Sequence, residues 1–173
     1  MFAGLTPKSS GKPIAKRMPP HEPRGPQSFL RKFELRDAGA VEQLLQKCPE
    51  AGAWPGDSYQ ELIPPAYSAW VVEAGRSVRG FLAARAVAGQ GEILNLAVDP
   101  ANRNAGHASS LLERALDEFR RQGIADIFLE VRASNSAALS FYEHHGFVRT
   151  GARPGYYQNP PEAAVLMMRK LTT

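Results

Sequence analysis

The chain has 173 residues, of which 43% are apolar and 22% are charged, as in a globular domain with a sizeable core. Its single cysteine, Cys48, excludes an internal disulfide and is compatible with a reducing compartment. No stretch approaches the roughly 18 apolar residues of a membrane span, and the N-terminus lacks the apolar core of a secretory signal. We therefore expect a cytoplasmic protein that does not contact a membrane.

The net charge of +4 comes from the first 27 residues. They hold five of the 21 basic side chains, one of the 17 acidic ones and six of the 14 prolines, which leaves 16 side chains of each sign in 28–173. We expect 1–27 to be a disordered, basic, proline-rich tail, with Met18 as an alternative start, and 28–173 to be the folded domain. The balanced domain gives no argument for direct nucleic-acid binding, although an RNA-touching tail stays open.

The first half of the domain mixes short helices with apolar strands. Val41, Leu44 and Leu45 recur at helical spacing, and Gly75-Arg76 has the composition of a hairpin turn. In chain order we predict a strand at 28–36, a helix at 38–47, a loop at 48–57, a short helix at 58–63 and strands at 68–74, 79–88 and 92–98.

The second half contains the strongest helix, 106–122, whose apolar stripe ends at Gly123. In chain order we then predict a strand at 125–131, a helix at 135–146 capped by Ser134 or Asn135, and strands at 147–151 and 163–169 separated by a loop at 152–162. An antiparallel first half joined to a βαβ unit predicts an α/β fold, with a mixed central sheet of about seven strands flanked by helices.

The segment RNAGHAS, 103–109, lies where the strand at 92–98 gives way to the long helix. The first turn of a helix leaves backbone N–H groups without intrahelical partners, and the helix dipole favours an anion there. Gly106 and Ala108 would let a phosphate approach the backbone closely. The alternative is that Gly106 only starts the helix.

Three motifs in this order, LAVDP with RNAGHA, then LEVRASN (129–135), then SFYEHHGF (140–147), resemble the GNAT acyl-CoA N-acetyltransferases. The resemblance extends in particular to their bacterial branch that acetylates the N-terminal alanine of a ribosomal protein. It covers most of 28–170. It implies the GNAT fold, with acetyl-CoA as the acetyl donor in the splay between central strands, and a polypeptide N-terminus, such as that of a ribosomal protein, as the partner.

The resemblance also implies which residues bind the coenzyme. The 104–109 loop would wrap the diphosphate, the backbone of 96–98 would pair with the pantetheine arm, and the asparagine of LEVRASN would hold that arm. The implied set is Leu96, Ala97, Val98, Arg103, Asn104, Ala105, Gly106, His107, Ala108, Ser109 and Asn135.

Two side chains are implied to be catalytic, Glu130 as the general base and Tyr142 as the acid that protonates the departing thiolate. Only a neutral amine attacks a thioester, so a carboxylate within reach of the amine has a clear purpose. From the residues alone, Glu130 could instead pair with Arg132 or Arg149, and Glu92 is a competing base. Tyr142 could simply pack beside Leu139, although we expect Phe141 to be the better core residue.

Three aromatic residues are expected near the acceptor. Tyr156 and Tyr157 resemble a tyrosine pair of the alanine-acetylating branch, and Trp54 lies in the loop where that branch carries an aromatic residue. Local loop packing is the alternative for each. We predict no metal site, because His21, His107, His144 and His145 are not at ligand spacing with acids or cysteine.

The function implied is therefore acetyl-CoA-dependent acetylation of a protein α-amine by direct attack. One alternative is a GNAT enzyme that acetylates lysine side chains or small amines. Another is a non-catalytic acyl-CoA sensor, which would need neither Glu130 nor Tyr142. A third is a ribosome-associated module that acts through its basic tail.

Overall fold

The computed structural model describes residues 27–52, 59–60, 62 and 67–171. The tail 1–26, Met18 and most of the helix predicted at 58–63 lie outside these residues. In chain order the described residues form β1 (Ser28–Lys32), α1 (Ala38–Gln46), β2 (Tyr67–Ala74), β3 (Ser77–Val87), β4 (Gln90–Val98), α2 (His107–Arg121), β5 (Asp126–Arg132), α3 (Ser136–His144), β6 (Val148–Gln158) and β7 (Pro161–Lys170).

The seven strands form one sheet in the order β1-β2-β3-β4-β5-β7-β6. Only β4 and β5 run parallel, and α2 connects them across one face of the sheet. α2 and α3 pack on that face, whereas α1 packs on the opposite face over β2, β3 and β4. The predicted mixed seven-stranded sheet flanked by helices is therefore confirmed. None of the helices in the described residues combines the length and apolar content that a membrane crossing requires.

The long helix α2 packs against the part of the sheet where β4 and β5 are paired. Its apolar stripe is almost fully buried: Leu111, Leu112, Ala115 and Leu116 are 0% exposed and Phe119 is 2% exposed. Under this stripe β4 carries Gly91, where an added Cβ would lie 2.9 Å from the Phe119 ring and 2.7 Å from Ile127. A side chain there would push α2 away from the sheet, so the glycine permits close packing.

The two parallel strands separate halfway along their length. Their ladder joins Gln90–Ile93 to Asp126–Leu129 and then stops, although β4 continues to Val98 and β5 to Arg132. At the same level the β3–β4 register shifts, because Ala84 pairs with Ile93 but Ala83 pairs with Asn95, which leaves Leu94 as an extra residue on β4. Such a bulge bends a strand. The result is the predicted splay between central strands, here called the wedge.

The first strand is shorter than predicted. It ends at Lys32, and residues Leu35–Asp37 form a 3-10 turn instead. Asp37 is 6% exposed, accepts a hydrogen bond from the backbone N–H of Glu34 at 2.9 Å and receives the Arg31 guanidinium at 2.6 Å. This partly buried ion pair closes the turn, and the alternation of residues 28–36 ends there.

The loop predicted at 152–162 is wrong. β6 runs from Val148 to Gln158, and only Asn159-Pro160 separates it from β7. The register shift between Arg153 and Tyr157 takes Pro154, Gly155 and Tyr156 out of the regular ladder within β6. Proline lacks the N–H that the ladder needs. Tyr156 and Tyr157 therefore lie on a strand rather than in a loop.

Candidate active site

The loop before α2 forms a concave backbone surface. Asn104 and Gly106 adopt left-handed conformations, with φ of 60° and 80°. The first backbone bond of the helix runs from the N–H of Ser110 to the carbonyl of Gly106 at 3.0 Å, so the three preceding N–H groups have no intrahelical partner. An added Cβ at Gly106 would meet no atom within 4 Å. The loop thus has the bare N–H groups and open approach that a phosphate requires.

A cavity of about 370 Å³ extends from this loop along the open edge of β4 to α3. Every residue of the predicted coenzyme set lines it except Ala105, which is exposed. Asn135 lies at the α3 end, where its side-chain oxygen accepts a hydrogen bond from the N–H of Ala138 at 3.0 Å. Asn135 rather than Ser134 therefore caps α3, and its amide NH₂ is the group left to donate into the cavity.

Arg103 is held by groups that the sequence did not suggest. Its guanidinium pairs with Glu50 and donates to the carbonyl of Val98 at 3.4 Å and to the sulfur of Cys48 at 3.8 Å. The Cys48 thiol is buried, and it donates to the same Val98 carbonyl at 3.3 Å. Burial raises the pKa of this thiol, which fits a structural cysteine rather than a nucleophile.

A smaller cavity of about 90 Å³ lies inside the wedge. Glu130 and Tyr142 both line it, as do Asn135 and Tyr157, and it shares Leu96, Asn135 and Tyr142 with the larger cavity. Glu130 is the first residue of β5 beyond the ladder with β4. The wedge therefore brings a carboxylate and a phenol together beside the open edge of β4.

Glu130 pairs with Arg153 on β6 at 3.0 Å. The partners considered from the sequence are engaged elsewhere, because Arg132 pairs with Glu162 at 3.3 Å and Arg149 pairs with Glu143 at 2.8 Å. Arg153 was missed because the predicted loop at 152–162 hid its position opposite β7.

Glu92, the competing base, lies on β4 in the part of the strand that is paired with β5. Its carboxylate pairs with Arg85 at 2.6 Å. It lines a separate groove of about 420 Å³ and does not line the wedge cavity. Glu130 lines both, so the geometry favours Glu130 over Glu92 as the carboxylate near Tyr142.

Tyr142 is 7% exposed, whereas Phe141 is only partly buried. The expectation that Phe141 would be the core residue is wrong, because Leu139 and Tyr142 share the face of α3 that packs on the sheet. The Tyr142 ring packs edge-on against Phe147, with centroids 5.4 Å apart. Its hydroxyl makes no hydrogen bond to another described residue, and burial raises the pKa of this phenol. The phenol therefore stays protonated as the site fills.

The tyrosine pair flanks Glu130 on its outer side. Tyr157 lines the wedge cavity, and the Arg132 guanidinium lies 4.0 Å from its ring centroid. Tyr156 is 47% exposed, and the neighbouring Glu130 carboxylate raises the pKa of its hydroxyl. Trp54 lies outside the described residues. Within these residues, no three His, Cys, Asp or Glu side chains gather as a metal site would require.

Comparisons with known proteins give a consistent picture. Residues 38–147 match the model of the Acetyltransferase (GNAT) family. The [ribosomal protein bS18]-alanine N-acetyltransferase of Escherichia coli K12 is 30% identical over 142 residues, which span 81% of this chain and 93% of the relative. N-alpha-acetyltransferase 30 of Saccharomyces cerevisiae is 39% identical over 79 residues, 46% of this chain and 45% of the relative.

A solved structure agrees with the sequence matches. The crystal structure of the ribosomal-protein-S18-alanine N-acetyltransferase from Escherichia coli superimposes with a TM-score of 0.76 at 27% identity, covering 85% of this chain and 96% of that one. The GNAT fold uses acetyl-CoA as its acetyl donor. The chain therefore belongs to the GNAT acetyltransferase family and is an N-acetyltransferase.

Proposed function

We propose that this protein transfers the acetyl group of acetyl-CoA to the N-terminal α-amine of a polypeptide. The observation that carries the proposal is the wedge cavity, which Glu130 and Tyr142 both line and which Tyr142 shares with the larger cavity beside the 104–109 loop. The names of the bacterial and yeast relatives, which describe protein N-terminal acetylation, support it. A ribosomal protein as the acceptor would place the reaction in the cytoplasm, with 28–173 as the catalytic domain.

Acetyl-CoA fits the described residues at three levels. The 104–109 loop offers bare N–H groups to a diphosphate, the edge of β4 at 96–98 lacks a strand partner, and Asn135 can donate an N–H to an amide carbonyl. When bound, acetyl-CoA supplies the thioester carbonyl that an amine attacks. Backbone N–H groups near Leu96 and Ala97 would stabilise the negative charge that develops on the carbonyl oxygen.

Glu130 would take the proton of the attacking amine, directly or through one water. Its side chain lines the wedge cavity, and Arg153 compensates its charge at 3.0 Å. A carboxylate within hydrogen-bond reach of the amine typically contributes about 10²–10⁴ in rate.

Tyr142 would donate its phenolic proton to the departing thiolate. Burial raises the pKa of Tyr142, which by itself makes the phenol a weaker acid. The same enclosed site disfavours a free thiolate, because burial raises the pKa of any thiol. The two effects act in the same direction, so burial of the thiolate offsets part of what burial of the phenol costs.

The acceptor end favours a small first residue with a free α-amine. The wedge cavity measures only about 90 Å³, and Tyr157 closes one side of it. An α-amine has a reference pKa of about 7.7–8.0 against about 10.4 for lysine, so its deprotonation near neutral pH costs roughly 3.4 kcal/mol less.

Changing Gly106 to glutamate is expected to weaken acetyl-CoA binding at least about tenfold, or 1.4 kcal/mol, because a carboxylate would face the diphosphate. Calorimetric titration with acetyl-CoA measures this. Gly123→Glu is the matched control, since Gly123 also has a positive φ of 72° and open space around it but lies at the far end of α2. Equal affinity in the two variants would contradict the placement of the diphosphate.

Glu130→Gln is expected to lower turnover about 10²–10⁴-fold while acetyl-CoA affinity stays unchanged. Glu92→Gln is the matched control, because Glu92 also pairs with an arginine but lies outside the wedge cavity. Turnover under saturating acetyl-CoA, followed by thiol release, measures both. A large loss in Glu92→Gln with little change in Glu130→Gln would transfer the role of base to Glu92.

Tyr142→Phe is expected to lower the rate of the chemical step by about 10²–10⁴-fold. The variant keeps the ring that packs on Phe147 and removes only a hydroxyl without a described partner, so the free energy of unfolding should change little. Single-turnover acetyl transfer and denaturant unfolding measure the two quantities. An unchanged single-turnover rate would leave Tyr142 as a core residue only.

Peptides with alanine or serine at the first position are expected to be acetylated once, at the α-amine. Pairs of peptides that differ only in a blocked N-terminus, each with one internal lysine, separate the alternatives by mass spectrometry with fragmentation. A matching pair with leucine first should react more slowly, because the wedge cavity is small. Lysine acetylation in the blocked peptide at the rate of the free one would refute α-amine selectivity.

A further inference from the structure

A histidine at the end of α3 is hydrogen-bonded to the first turn of α2. The ring of His145 lies with Nε2 3.1 Å from the hydroxyl oxygen of Ser109 and with Nδ1 2.8 Å from the carbonyl oxygen of Phe141. The ring also packs on Phe141, with centroids 4.3 Å apart. Ser109 and Phe141 both line the larger cavity, which extends from the 104–109 loop to α3. Both His145 and Ser109 are partly buried.

The partners of the ring fix which nitrogen carries the proton. A carbonyl oxygen only accepts, so Nδ1–H donates to Phe141 whether the ring is neutral or charged. In the neutral ring Nε2 has no proton and accepts from the Ser109 hydroxyl, whose proton is then directed at the ring. In the imidazolium Nε2–H donates to Ser109, and the hydroxyl proton becomes free to donate into the cavity.

The helix dipoles around His145 make protonation of its ring depend on whether an anion is bound to the 104–109 loop. The C-terminus of α3, where His145 lies, favours the imidazolium, whereas the N-terminus of α2 carries partial positive charge that opposes it as long as no anion is bound. A diphosphate on the 104–109 loop would reverse that effect, because it attracts the imidazolium and accepts the released hydroxyl proton. Binding of the anion and protonation of the ring therefore favour each other.

Two carboxylates near His145 are already paired with arginines. Glu143 is engaged by Arg149 at 2.8 Å, and Arg169, which lies beside Gly146, has Glu113 within 3.8 Å. The titratable and charged side chains on the elements packed there are His107, Glu113 and Arg114 on α2, Glu143 and His144 on α3, Arg149 on β6 and Arg169 on β7.

We propose that His145 is a positioning residue for the coenzyme, which turns the Ser109 hydroxyl toward the diphosphate when it is protonated and so couples proton uptake to coenzyme binding. The inference rests on the proposed use of acetyl-CoA. Because proton uptake and coenzyme binding favour each other, coenzyme affinity should rise as pH falls.

Proton uptake can be measured by titrating the full chain with coenzyme A at pH 6.5 in buffers of different ionisation enthalpy. The wild type is expected to take up more protons than His145→Gln, and its affinity should gain at least about threefold more between pH 8 and pH 6. His144→Gln is the matched control, because its ring lies 5.5 Å from that of His145 but does not contact Ser109. The coenzyme's own phosphates also take up protons, but they do so equally in all variants. The difference in proton uptake between variants is therefore unaffected.

Ser109→Ala provides a second variant that keeps the histidine. It is expected to weaken coenzyme binding more at pH 6 than at pH 8, because the hydroxyl donates into the cavity only when His145 is charged. Equal proton uptake in the wild type and His145→Gln, or an Ser109→Ala loss that does not change with pH, would overturn the inference while leaving the proposed function intact. Failure of the wild type to bind coenzyme A at any pH would overturn both.

Discussion

The incomplete ladder between β4 and β5 is the constraint on which the site depends. Four residue pairs hold the strands together, after which each strand has one edge that no strand of the described residues pairs with. Buried backbone groups need hydrogen-bond partners, so this edge suits a ligand that can itself pair with a strand. The closed half depends on close packing at Gly91 under Phe119, and the open half on the bulge at Leu94. One sheet thus combines a rigid support with an open site.

The charges near the site indicate which groups would attract the diphosphate of the proposed coenzyme. Arg103 pairs with Glu50, Arg153 with Glu130 and Arg132 with Glu162, so each of these guanidinium groups is already compensated by a carboxylate. The backbone N–H groups at the start of α2 have no such partner within the helix. An anion on the 104–109 loop would therefore be held mainly by the helix terminus, and Arg103 would contribute by fixing the end of β4 through the carbonyl of Val98.

Much of the fold could be predicted from local sequence, because α2 has a clean apolar stripe and β2 and β3 flank a short turn. The open loop before α2 could be predicted as well, since glycine at the start of a helix has a direct physical meaning, whereas its use for a coenzyme stays a prediction. The long β6 could not, because Pro154 and Gly155 lower the local strand preference and only the pairing with β7 restores it. The burial of Tyr142 rather than Phe141 depends on how α3 is rotated against the sheet, which its weak apolar pattern leaves open.

Tyr156 and Tyr157 lie within β6 rather than in a loop, which affects how an acceptor would be recognised. Tyr157 lies opposite Glu162 in the β6–β7 ladder, and Glu162 in turn accepts from the N–H of Ser134 and pairs with Arg132, whose guanidinium covers the Tyr157 ring. This chain of contacts joins β5, β6, β7 and the start of α3. A wall fixed by four elements cannot move aside for a larger side chain as a loop could, so in the proposed reaction the size of the wedge cavity itself would limit the first residue of a peptide acceptor.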